Sequence, residues 1–243
     1  MKSLILMIQF LTRIPLPFNL NVTEEDFTEG VIYFPVVGAL IGVLMMFVLK
    51  LTESFVSGLV LSVLLVTFQI FLTGGLHLDG LADSFDGLYS NRSKERVLEI
   101  MKDSRVGSNG ALALIILILM KVALFSEIIY SYHRVAIIIL TPAFARYTVI
   151  VASRISDYAR EKGMGNFFIG KTKNDHLVMG TIFVLMMSLF NPTNLIALGA
   201  ATVFAVLYSF HVKKKIGGMT GDTLGAMIEM SELVILTVFL FLR

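Results

Sequence analysis

The sequence predicts an all-α, polytopic transmembrane helix bundle, and three observations carry that reading. Hydrophobic residues make up 56% of the 243 residues and the mean hydropathy is +0.82, above the roughly 45–50% apolar content of soluble domains. Apolar runs of about twenty residues recur, the length a helix needs to cross a hydrocarbon core roughly 30 Å thick. Basic residues gather on alternate connections, as they do in cytoplasmic loops.

The elements follow in order. The opening "MKSLILMIQFLTRIPLP" has a short apolar stretch, interrupted by Arg13 and followed by no small-residue cleavage site. It is expected to be a retained amphipathic helix lying at the membrane interface, stopped by Pro15 and Pro17. Spans are expected at 31–50, 55–75, 110–130, 134–152, 176–191, 194–212 and 223–242, about seven within a range of six to eight. The fifth is short and ends at Asn191-Pro192. With no internal repeat or low-complexity segment, residues 1–243 read as one integral membrane domain.

Three long hydrophilic connections remain, 76–109, 153–175 and 213–222. Together with Lys2 and Arg13 they hold fifteen of the twenty Lys and Arg residues. The amino terminus and these connections are therefore expected to be cytoplasmic, in a protein of the cell inner membrane. Absence of cysteine excludes disulfides, thiolate metal sites and cysteine nucleophiles. A formal charge of +2 carries no signature of a nucleic-acid partner, and the oligomeric state is not legible.

"GGLHLDGLADSFDGL", residues 74–88, opens the first long connection. Asp79, Asp83 and Asp86 are spaced i, i+4, i+7, which places them within about 60° on a helix. Like charges so arranged repel. A hard divalent cation removes the repulsion, and Mg²⁺ commonly joins one or two carboxylates to substrate phosphates. A solvated acidic helix start is the plainer alternative. His77 lies on the opposite side of that helix, either a packing residue at the helix entry or the one imidazole available to the cluster.

The same connection ends in "KDSRVGSNGA", where Lys102 and Arg105 bring positive charge beside Asp103, and the helix start that follows offers backbone N–H groups to phosphate oxygens. Arg146 falls inside the fourth span, at a cost of roughly 2.5–3.5 kcal/mol on insertion scales. Either it snorkels to the inner surface or it faces a polar cavity and pairs with an anion. Lys121 lies deeper, with no assigned partner. The last span opens with "GGMTGDTLGAMIEMSE": Asp222 and Glu229 share a face, and Glu232 lies about 60° round from Glu229. These carboxylates either pair with Arg146 or serve a metal or substrate. Carboxylates for a cation and arginines for anionic oxygens, at one depth, are the components of a phosphoryl-transfer site.

The residues that carry this chemistry resemble the cobalamin synthase family, adenosylcobinamide-GDP ribazoletransferase. The similarity rests on "FLTRIPLP" at 10–17, "FPVVGALIG" at 34–42, "GGLHLDGLADSFDGL" at 74–88, "MKDSRVGSNGA" at 101–111, "AR" at 145–146, "GMG" at 163–165 and "GGMTGDTLGA" at 217–226. It covers nearly the whole chain in one order. The resemblance implies an integral membrane enzyme of vitamin B12 assembly that uses Mg²⁺. It would join adenosylcobinamide-GDP to α-ribazole or its 5′-phosphate and release GMP. On that basis Asp79, Asp83 and Asp86 are expected to hold the metal, with Asp86 first and Asp83 second as the group that takes the hydroxyl proton. Lys102, Asp103, Arg105, Arg146, Asp222 and Glu229 are expected to bind substrate, and His77 and Glu232 have no settled role.

A cation-coupled secondary transporter is the competing class, because intramembrane carboxylates and Gly/Pro-interrupted spans also mark ion pathways. The charges lie on the inner side rather than at the midplane, and no half-repeat is visible.

Overall fold

The computed structural model describes residues 2–242. Among them the chain is helical, with a single isolated parallel bridge between Tyr158 and Met219 and no strand. Helix α1 (Lys2–Leu11) buries Leu6, Met7 and Leu11, and packs Leu4, Ile8 and Phe10 half-buried against the same core. After it, Arg13 N donates to the Leu72 carbonyl at 2.7 Å, tying the amino-terminal segment to the end of a span.

Helix α2 (Glu24–Gly30) starts at a capping box between Thr23 and Asp26, which satisfies orphan N–H groups reciprocally. A 3₁₀ turn (Val31–Tyr33) joins it to α3 (Phe34–Thr52). The first apolar helix therefore runs from Glu24 to Thr52, starting seven residues before the expected 31 because the cap lies upstream of the apolar run.

Then come α4 (Gly58–Thr73) and α5 (Leu76–Leu88), with an angle of 91° between them. Gly74 and Gly75 make that turn at φ of +63° and +71°, a left-handed conformation open to glycine at little cost. The bend takes α5 off the axis of α4, so α5 does not continue that helix along the bundle. The connection at 76–109 is therefore largely ordered: α5 is followed by α6 (Lys94–Ile100).

Next are α7 (Ser108–Ile128), α8 (Arg134–Ile155), α9 (Asn174–Ser188), α10 (Pro192–Ile216) and α11 (Gly221–Phe241). Helix α8 is the axis of the bundle, buried at every position from 141 to 153. Helix α3 packs on it backbone to backbone, since a Cβ on Gly38 would collide with the Pro142 carbonyl. On the outer faces Phe47, Phe71, Leu119, Leu207 and Phe210 are all more than 60% exposed, the apolar surface that lipid requires.

Five helices are long and apolar enough to cross a membrane, or six when α4 and α5 count as one. The expectation of about seven exceeds this because α4 has 16 residues and α9 has 15. At 1.5 Å per residue these reach about 24 and 22 Å, short of a ~30 Å core. The result is still a polytopic helical membrane bundle.

Candidate active site

The acidic helix α5 lies against the amino-terminal turns of α11. Their backbones nearly touch: a Cβ on Gly80 would stand 2.7 Å from the Asp222 carbonyl oxygen and 3.0 Å from its Cα. Only a glycine lets Asp79 and Asp83, one residue before and three after, come alongside Asp222. Helix α11 is capped by Thr220 and Thr223, and a backbone bridge holds its start to the 153–175 connection. There Met219 N donates to the Asp157 carbonyl and Ala159 N to the Met219 carbonyl, both at 2.9 Å.

That bridge delivers Arg160, which pairs with Asp222 at 2.7 Å. The Arg160 Nε is buried with no hydrogen-bond partner among the described residues, an unmet donor at the edge of an acidic cluster. Asp79 and Asp83 make no hydrogen bond or ion pair there. Burial first, then the carboxylates of Asp222, Asp79 and Asp86, push the Asp83 carboxyl up to about 7 against the pull of Arg160. Burial likewise raises the Tyr158 phenol above its usual value.

Of these groups Asp79, Tyr158, Arg160 and Asp222 line a cavity of about 220 Å³ between α1, the starts of α3, α5 and α11, the inner part of α8 and the 158–168 segment, while Asp83 stands beside it without lining it. His77, Asp79, Tyr158, Arg160 and Asp222 line its polar side.

The other expected residues divide. Asp86 is turned toward α7: one carboxylate oxygen accepts from Gly107 N at 2.7 Å and the other from Gly110 N at 2.8 Å. It caps a helix that is not its own, so the expectation that Asp86 is the first choice of base does not fit its geometry. Asp103 and Arg105 pair with each other at 2.7 Å, Arg105 being 87% exposed, which holds the Asp103 carboxyl down to about 2. Lys102 is exposed. None of these three lines the cavity.

Deeper in the bundle the structure builds a network that sequence reasoning left open. Lys121 bridges Glu229 at 2.5 Å and Glu232 at 2.6 Å, Arg146 meets Glu232 at 3.3 Å, and the Gln69 amide donates to both Glu232 oxygens at 2.8 and 2.9 Å. His77 Nδ1 lies 3.5 Å from Arg146 Nη2 and 4.0 Å from Glu229. An arginine offers no acceptor, so Nδ1 accepts and the imidazole proton sits on Nε2. Of the alternatives for Arg146, Glu229 and Glu232, the structure takes the structural pairing, and Lys121 gains its partners. Two cations face two carboxylates, so the buried charge balances.

As for a metal, no group of three or more acidic or histidine side chains among the described residues is arranged to hold one. The expected trio of Asp79, Asp83 and Asp86 is divided, since Asp86 is engaged by α7. What remains are hard oxygen donors on Asp79, Asp83 and Asp222, whose chemistry suits a cation that takes one or two carboxylates and completes its shell with water and phosphate.

Residues 3–240 match the family described as CobS, cobalamin-5-phosphate synthase. The chain belongs to that family. Among its relatives, proteins called adenosylcobinamide-GDP ribazoletransferase are 42% identical in Alkaliphilus metalliredigens, over 96% of this chain and 92% of the relative, and 40% identical in Clostridioides difficile, over 97% and 96%. In Caldanaerobacter subterraneus the identity is 41% over 96% of both chains. No solved structure matches. Membership in the cobalamin-5-phosphate synthase family makes this chain a transferase of cobalamin biosynthesis.

Arg160 is the functional candidate that sequence reasoning missed. Its only signal was its place in a sparse connection, counted for orientation alone. Two expected outcomes follow from the geometry. Asp86→Ala removes the acceptor of two α7 N–H groups and is expected to cost about 0.5–2 kcal/mol, as loss of a helix cap does, read as a fall in thermal midpoint; Asp86→Asn, which keeps one acceptor oxygen, is expected to lose about half as much.

The second concerns pH. Asp83 has a folded-state pKa raised from 3.8 to about 7, so the unfolded chain releases this proton earlier than the folded one. Stability from this group is full below about pH 4 and lost as pH climbs to about 7. In chelator-treated protein, the thermal midpoint of Asp83→Asn relative to wild type is expected to rise across that window. A constant difference from pH 4 to 8 would contradict it.

Proposed function

We propose that this protein is a membrane-embedded, Mg²⁺-dependent transferase that joins adenosylcobinamide-GDP to α-ribazole or α-ribazole 5′-phosphate and releases GMP. The observation that carries this reading is the meeting of Asp79 with Asp222 and Arg160 on one cavity, with Asp83 close enough to feel the charges of all three. A divalent cation brings the positive charge this cluster lacks, and would join it to a pyrophosphate.

In chemical terms, the ribose 3′-hydroxyl oxygen of the acceptor attacks the phosphorus attached to cobinamide. The bond from that phosphorus to the bridging oxygen breaks, and the electron pair leaves with GMP. Asp79 and Asp83 would hold Mg²⁺, which on binding neutralises the charge of the diphosphate. Asp83, which has no hydrogen-bond or ion-pair partner among the described residues, would also take the hydroxyl proton, as a base must lie within reach of the proton it removes. Arg160, which lines the cavity, would orient a phosphate oxygen, a task expected, from the sequence, of Lys102, Arg105 and Arg146. Arg105 and Lys102 stand outside at the solvent edge and Arg146 holds Glu232, so Arg160 takes the role. Glu229 supports the wall behind His77 rather than touching substrate.

The site would face the cytoplasm, the side on which the basic connections lie. The test supplies both substrates to proteoliposomes without an ion gradient and follows GMP and the corrinoid product. Product that requires Mg²⁺ supports the proposal. Ion flux with no new bond would support the cation-coupled transporter instead.

A further inference from the structure

The cavity has a second half that the phosphate chemistry does not use. Besides the carboxylates its lining is apolar, with Phe10, Phe34, Phe168, Val149 and Ile228 buried or half-buried and Met164 exposed. Phe168 belongs to this lining and is 3% exposed. Its ring meets Phe34 edge-on at 5.3 Å and 77°, and Phe10 at 6.0 Å, so its position is fixed from two sides before any ligand arrives.

We infer that this apolar half binds the base of the acceptor nucleoside, a planar benzimidazole, and excludes both guanine and the corrin ring. The inference rests on the proposed function and names which substrate each part of the cavity takes. Size decides against the corrin. At about 220 Å³ the cavity falls below the roughly 300–1,000 Å³ of a drug-sized site, leaving room for a small planar ring system and not for a corrin.

Polarity decides between the two bases. Guanine carries an amide N–H, an amino group and a carbonyl, and burying them against phenylalanine, valine and isoleucine leaves them unpaired, which is costly. A dimethylbenzimidazole has methyl groups on that edge and gains from contact with aromatic faces. The orientation then follows. With the base against Phe168, the ribose lies at the polar mouth, where Asp79, Asp222 and Arg160 line the opening. The acceptor hydroxyl is thereby brought to the acidic cluster, and the nucleotide and corrinoid stay outside.

The test measures α-ribazole binding by equilibrium dialysis to protein in lipid nanodiscs, beside steady-state kinetics on the same samples. Phe168→Leu removes the aromatic face and Met164→Ala trims the rim; Met164 is 53% exposed, so the second variant does not disturb the core. Both are expected to weaken α-ribazole binding and raise its KM by about 3- to 10-fold, the range a lost aromatic contact supplies. The KM for adenosylcobinamide-GDP is expected to stay within about twofold, and GMP to leave α-ribazole binding unchanged.

A KM increase confined to adenosylcobinamide-GDP, displacement of α-ribazole by GMP, or unchanged α-ribazole binding in both variants would overturn the assignment while leaving the transferase reading intact. Weakened α-ribazole binding in the variants, with no product from wild type, would uphold the cavity's ligand and remove the proposed reaction.

Discussion

Asp83→Asn is expected to fold and to lose about 10²-fold or more of its turnover, the scale on which a positioned proton-transfer group or a metal-holding carboxylate acts. The change removes one negative charge from a cluster in which Asp222, Asp79 and Asp86 already repel it. Folding therefore benefits while chemistry suffers. A site kept under repulsion in the absence of its ligands shows this opposition, and a side chain kept for packing does not. Steady-state GMP release at saturating and at limiting Mg²⁺ reads the effect. Undiminished turnover at limiting Mg²⁺ would take Asp83 out of the reaction, whatever the stability of the variant.

Lys121→Met is expected to cost about 3–5 kcal/mol of stability, because breaking a buried charge pair leaves its partners uncompensated. Lys121 is 3% exposed, and it holds Glu229 and Glu232 from α7 while Arg146 reaches Glu232 from α8. Without the lysine, two buried carboxylates share one arginine. The double variant Lys121→Met with Glu229→Gln restores the charge balance and is expected to recover most of the loss in thermal midpoint. A single variant that loses less than about 1 kcal/mol, or a double variant no better than the single, would show that the network is not energetically coupled. The network also stands directly behind His77 in the cavity wall, so the same variants are expected to reduce activity through the position of that wall.

The candidate site was partly legible in the chain. The i, i+4, i+7 spacing of Asp79, Asp83 and Asp86 correctly placed them on one helix, since α-helical periodicity depends only on local spacing. It could not tell that the third would serve another helix: Gly107 and Gly110 are more than twenty residues away, and their N–H groups compete for Asp86 only once α7 docks. Arg160 was invisible for the same reason. It lies in a connection with no regular pattern, and the bridge between Tyr158 and Met219 that aims it at Asp222 joins segments some sixty residues apart.

Lys121 shows the converse case. A lysine in an apolar span announces a partner by its cost in hydrocarbon, yet nothing local names Glu229 and Glu232 as that partner.

By itself the sequence determined that this is a helical membrane protein, where its acidic helix starts, and which family it resembles, because hydropathy, helical periodicity and motif order are properties of residues close together in the chain. Tertiary structure alone decided the bend at Gly74 and Gly75 that takes α5 off the axis of α4, the division of the three aspartates, the pairing of the buried charges and the aromatic cavity beside them. Each of these depends on which helices pack side by side, and the free energy that selects among packings comes from contacts between residues far apart in the chain.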